Sequence, residues 1–262
     1  MKLKNLLPTL FKKSRLEKYF GIRKNNTICQ VLINDGKIKS EFSITNFVSF
    51  FSPQSCAESE KFKISVIADG FSVSKVLTLP KFGSKSIKPE EEFDVKIPEL
   101  GMFLVEYLSP INFKNKNQDL GVLNSHFYAI YHAHDNSSLA LIHPQQFITK
   151  QRYNKTKPYS WISQYIFSTE NVSEMHIYQS NVLEAWDMES GCSIINAETG
   201  VVLESFEYEI KAKSVKKSVF NIKKIREQNS QIKLGIKALC GDNAKPLAFL
   251  YSDDGSFTAT HC

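Results

Sequence analysis

Residues 64–80 read ISVIADGFSVSKVLTLP. A Val/Ile-rich run meets Asp69-Gly70, and a second run follows in which Phe71, Val73 and Lys75 alternate with serines. Alternation at every second residue is the period of a strand, and Asp-Gly between two such runs signals a hairpin turn. The pattern returns at 193–210, SIINAETGVVLESFEYEI, where an acidic turn closes on Gly200 and Phe206, Tyr208 and Ile210 alternate. Two such hairpins predict antiparallel β structure and point to an internal repeat.

The correspondence widens on both sides. EFSITNF (41–47) precedes the first hairpin and MHIYQSN (175–181) the second. A Lys/Ser-rich stretch follows each, KFGSKSIKPEEEFDV (81–95) and KAKSVKKSVFNI (211–222). A last hairpin closes each unit, at 127–143 and 247–261. There DNSSLALIH (135–143) lies over DDGSFTATH (253–261), with Asp, Ser and the final His in common. The acids of PEEEF (89–93) read as a solvated loop. The expected fold is all-β: two tandem, internally duplicated antiparallel β-sandwich domains, immunoglobulin-like or jelly-roll in type, preceded by a short basic N-terminal helix. The expected boundaries are a partly helical basic segment at 1–26, a first sandwich at 27–148, a linker at 149–162 and a second sandwich at 163–262. The linker reading rests on TKQRYNKTKPYS (149–160), which is polar, basic and contains Pro.

Charge is concentrated at the start of the chain. Residues 1–26 hold eight Lys or Arg and one acid, Glu17, a net +7, while the remaining residues hold 25 basic and 26 acidic side chains, a net −1. The net +6 of the whole chain therefore describes the N-terminal segment and not the body, and no nucleic-acid partner is expected. Within that segment a helix is expected over about residues 8–20, with Pro8 in the first turn and Gly21 as the stop. Leu3, Leu6, Leu7, Leu10 and Phe11 among lysines suggest an anionic membrane surface as one partner of residues 1–24, although Pro8 interrupts the stripe. The five cysteines, Cys29, Cys56, Cys192, Cys240 and Cys262, are odd in number and far apart. They read as free thiols, which favours a cytoplasmic location, including the inner face of the membrane.

Four of the six histidines fall in one hairpin. With a two-residue turn at Asn136-Ser137, opposite residues sum to 273. One face then holds His126, Tyr128, Ile130, His132, His134, Leu139, Leu141 and His143, and the other holds Phe127, Ala129, Tyr131, Ala133, Ala140 and Ile142. The second face is the expected core. On the first, His132, His134 and His143 fall within reach of a shared Zn or Fe ion, since imidazole is a ligand for both. In the second unit Asp254-Gly255 gives the corresponding type I′ turn signal, and of this set only His143 recurs, as His261.

Phosphate-binding Gly loops, a nucleophile elbow and a His-Glu-x-x-His helix are all missing from the sequence. The expectation is therefore a non-catalytic binding or assembly module that presents sheet faces and loops to a protein or glycan partner. His126, His261, Trp161, Trp186 and Tyr178 are candidate contact residues because exposed aromatics anchor partners and stack on sugars. Two other readings stand beside it: a metal-dependent enzyme centred on His132, His134 and His143, and a peripheral membrane protein attached through residues 1–24.

Overall fold

A computed structural model of the chain describes residues 27–51, 53–54, 56–109, 126–135, 137–144, 146–148, 159–162, 166–182, 187–228, 232–240 and 245–261. The expected N-terminal helix, residues 149–158 of the linker, and Trp186 lie outside these residues.

The first half contributes β1 (Thr27–Ile33), β2 (Ile38–Thr45), α1 (Phe47–Phe51), β3 (Ser59–Ala68), β4 (Phe71–Pro80), β5 (Ser84–Ile87), α2 (Pro89–Phe93), β6 (Leu100–Tyr107), β7 (Phe127–Ala133), β8 (Leu139–Ile142) and β9 (Gln146–Ile148). The second contributes β10 (Tyr159–Ile162), β11 (Phe167–Ser168), β12 (Val172–Asn181), β13 (Met188–Asn196), β14 (Val202–Ile210), β15 (Ser214–Asn221), α3 (Ile222–Gln228), β16 (Lys233–Cys240), β17 (Leu247–Ser252) and β18 (Phe257–His261). The chain is mostly β, and its strands form four antiparallel sheets. Sheet I runs β4-β3-β6-β1-β9, sheet II β5-β2-β7-β8, sheet III β10-β16-β13-β14 with β11 also on β16, and sheet IV β15-β12-β17-β18. Adding ten to each strand number from β2 to β8 converts the orders of sheets I and II into those of III and IV, with β10 and β11 standing for β1.

Three expectations need adjustment. Tyr159–Ile162, read as the end of the linker, forms β10 and pairs with β16. An immunoglobulin order pairs the first strand with the second, whereas β1 pairs with β6 and β9, and β2 with β5 and β7. The PEEEF stretch is not a loop but α2, with Pro89 in its first turn. Glu92 is held there between Lys75 at 2.7 Å and Lys85 at 2.6 Å.

Local chemistry explains the hairpins. Ala68 pairs directly with Phe71, so Asp69-Gly70 is a two-residue turn, and Gly70 takes φ +67°. Only glycine adopts such a φ freely. The matching turn after β13 is longer. Asn196 Oδ1 accepts from the Glu198 and Thr199 amides, Asn196 N donates to Val201 O, and Gly200 closes it at φ +73°. The turns before β5 and β15 also agree. Gly83 N donates to Pro80 O and Ser214 N to Lys211 O, with left-handed Phe82 (φ 61°) and Lys213 (φ 58°) one residue earlier.

Between sheets I and II, Phe42 stacks on Phe103 with centroids 4.0 Å apart, and Phe127 meets both edge-on. Between sheets III and IV, Met175, Ile177, Ile194, Ile236, Phe220 and Ala248 are buried together. Sheet IV is buried on its other side as well. Tyr178, Leu247, Phe249 and Tyr251 belong to the core of the first half. There β12 lies against β1, β15 against β3 and β6, and β18 alongside β8. Among the described residues, no helix is long and apolar enough to cross a membrane.

Candidate binding face

The β7–β8 hairpin separates its side chains by alternation, as strand geometry requires. Phe127, Ala129, Tyr131, Ala133, Ala140 and Ile142 are buried. On the other side Tyr128, Ile130 and His132 are half-buried, while Leu139 and Leu141 are 59% and 57% exposed. The register differs from the expected one. His132 pairs with Leu139 and Ile130 with Leu141, so opposite residues sum to 271. The cause is the turn. Ala133 N donates to Ser138 O, and Asp135 Oδ1 accepts from Ser137 N at 2.9 Å and from Ser137 Oγ at 2.6 Å. This Asx interaction favours a longer loop than the two-residue turn. A shift of two residues leaves both faces intact but changes every diagonal neighbour.

The last hairpin repeats the device. Asp254 Oδ1 accepts from Ser256 N at 2.9 Å and Ser256 Oγ at 2.6 Å, Ser252 N donates to Ser256 O, and Gly255 takes φ +86°. Its loop is therefore Asp253-Asp254-Gly255, a three-residue turn with glycine in the left-handed position and not type I′.

The new register separates the proposed metal ligands. His143 lies past the end of β8, away from His132, and His134 sits exposed in the turn, its amide donating to Lys37 O. Among the described residues no group of three or more His, Cys, Asp or Glu side chains is arranged to hold a metal. His132 instead has its Nε2 3.3 Å from Glu41 Oε2 on β2, close but not aligned as a hydrogen bond. Glu41 also accepts from the Ser86 hydroxyl. His143 meets His261 at 4.8 Å between ring centroids and His126 at 6.1 Å. Burial, and then the neighbouring His143, lowers the pKa of His126. Burial with His143 and Lys245 takes His261 down to about 4. The clustered histidines are thus 126, 143 and 261, spanning the two halves. Among the described residues, Cys29, Cys56 and Cys192 take part in no disulfide.

Tyr178 is not an exposed contact residue. It is fully buried where sheet IV meets sheet I. Ion pairs that sequence reading missed cross the same seam, and Lys217 lies over the Tyr178 ring. Lys217 Nζ reaches Asp35 Oδ2 at 3.1 Å, Lys37 Nζ reaches Glu174 Oε2 at 3.1 Å, and Lys211 Nζ reaches Asp69 Oδ2 at 3.4 Å. Each pair joins one half to the other. His176 Nε2 lies 2.9 Å from Glu174 Oε2, and its ring lies 4.4 Å from that of Tyr251. Burial dominates and lowers the His176 pKa to about 4 despite Glu174. Burial likewise raises both Tyr178 and Tyr251. Of the two tryptophans, Trp161 is placed on β10 opposite Ala238.

No protein-family model matches the sequence, and no curated protein shows significant similarity to it.

The free face of sheet II is therefore distinctive for its chemistry. It carries two exposed leucines on the edge strand β8, half-buried Tyr128, Ile130 and His132 on the neighbouring β7, and Glu41 on β2. Apolar side chains grouped in this way mark an interaction surface more often than scattered ones do.

Proposed function

We propose that the chain is a non-catalytic assembly module made of two tandem, duplicated β-sandwiches, and that the outer face of sheet II receives a protein partner. The matching strand orders of the two halves support the duplication, together with the repeated Asx turns of the last hairpins and the repeated turns before β5 and β15. Facing cores in each half support the sandwich reading. The observation that carries the function is the pair Leu139 and Leu141, exposed on the same face of β8. A protein is the better partner than a glycan, because branched aliphatic side chains bury apolar area but give a sugar ring no flat platform.

Site-specific photocrosslinking in the native host tests this. A photoreactive residue at Leu141 should give one discrete protein adduct, and the same residue at Val76, exposed on β4, should not. Equal labelling from both positions, or none from Leu141, would defeat the assignment.

A further inference from the structure

The partner of the sheet II face follows from the way the chain already packs on itself. In sheet I, Gln30 pairs with Phe103 and Leu32 with Gly101, so Ile28 and Leu32 share the side of Phe103, which faces sheet II. Val31 and Ile33 point to the opposite side, and they are buried in one cluster with Tyr178, Leu247 and Phe249 of sheet IV. The internal contact therefore joins the outer face of sheet I to the outer face of sheet IV.

Each of those faces has a counterpart. Counting from the closing bonds Ala133–Ser138 and Ser252–Ser256, Tyr128, Ile130, His132 and Leu139 correspond to Leu247, Phe249, Tyr251 and Phe257. The second set is buried against the first half, whereas the first set forms the free face of sheet II. Sheet III likewise corresponds to sheet I. Its inner side carries Ile194 and Ile236, so Ser193 and Lys237 mark the outer side, and Ile162 lies opposite Lys237. Ile162 there is 58% exposed, and Ile166, one residue before β11 and next to buried Phe167, is 63% exposed, whereas β1, for which β10 and β11 stand, is buried from Ile28 to Ile33.

Charges match in the same sense. Lys211, in the turn before β15, meets Asp69 in the β3–β4 turn. Lys81 lies in the matching turn before β5, and Glu198 lies in the β13–β14 turn. Lys81 Nζ lies 4.0 Å from Glu58 and over the Phe82 ring, and Glu198 lies 3.7 Å from Lys233. The outer side of sheet III also holds Glu189 directly opposite Glu209, with Glu207 two pairs along, opposite Gly191. Like charges facing each other across strands repel unless a cation lies over them. The sheet II face brings Lys39, with Glu41 two residues along the same strand beside His132.

We propose that this chain assembles head to tail: the outer face of sheet II of one copy packs on the outer face of sheet III of the next, repeating between chains the contact that sheets IV and I make within one. This rests on the assembly reading above and names the partner as a second copy of the same chain. The contact is heterologous, so it propagates into a ring or an open fibre and does not stop at a dimer.

Sedimentation velocity of the purified full chain tests it. Wild type should show a concentration-dependent series beyond the dimer. Leu139→Glu with Leu141→Glu should be monomeric, and so should Ile162→Glu with Ile166→Glu, each with an unchanged circular dichroism spectrum because the replaced residues are exposed. Mixing the two monomeric variants should restore a species of two chains and nothing larger, since one intact head and one intact tail remain. A mixture that stays monomeric, or a wild type that stops at a dimer or remains a monomer at all concentrations, overturns the proposal. If the Leu141 photoadduct then contains a different protein, the module reading survives while self-assembly falls. If Leu141 gives no adduct at all, both fall.

Discussion

Acid should loosen the seam between the halves, and His176 is the group that sets the window. Its side chain is almost fully buried between Glu174, Lys37, Lys217 and the Tyr251 ring, and it stays neutral in the folded chain down to about pH 4. In the unfolded chain it takes up a proton near its ordinary value of about 6.5. The folded value is the lower of the two, so the unfolded state binds more protons between them. Stability is fully present above about 6.5 and is lost as pH falls toward 4. Between about pH 7 and pH 5 this corresponds to a loss of about 1–2 kcal/mol after allowing for solvent relaxation around a charged ring. His261 and His126 are shifted the same way and add to the trend. His176→Gln keeps a donor for Glu174 and removes the titration. Urea unfolding of both proteins at several pH values is the assay. The wild type should lose about 1–2 kcal/mol more than His176→Gln across that window. Parallel stability curves for the two proteins would refute the assignment of the effect to this ring.

Tyr131→Phe removes the hydroxyl that donates to Val31 O at 2.7 Å in the buried core, and it should cost about 1–2 kcal/mol in urea unfolding. An unchanged midpoint would mean that water or another group replaces the donor. Gly191→Ala places a Cβ 2.6 Å from the Phe206 carbonyl oxygen on the neighbouring strand, so it should separate β13 from β14 and lower Tm by more than Gly200→Ala, where the space is open and only φ +73° is strained. Equal shifts in calorimetry would contradict this ranking. Leu141→Asp should leave folding stability within about 0.5 kcal/mol, because the side chain is exposed, while abolishing concentration-dependent association. Loss of stability by several kcal/mol would place Leu141 in the fold and not on a docking face.

Strand formation and the buried face of the 127–142 hairpin were both determined by the sequence alone. These depend on period-two alternation and on turn residues, which act between near neighbours. Ala129, Tyr131 and Ala140 were identifiable as core because alternation assigns a face whatever the register. The register itself was not legible, because two turns competed for the same residues and the Asp135–Ser137 hydrogen bonds chose the longer one. A shift of two residues was enough to take His143 from His132 to His126 and His261. Tertiary structure alone decided the seam. Lys217 and Asp35 stand 182 residues apart, and no local pattern pairs them. Tyr178 resembled an exposed contact residue because strand alternation says only that it faces away from its own sheet's partner. It is buried because the outer side of sheet I covers it, and that follows from how the two halves pack, which is a property of their whole surfaces and not of any one segment.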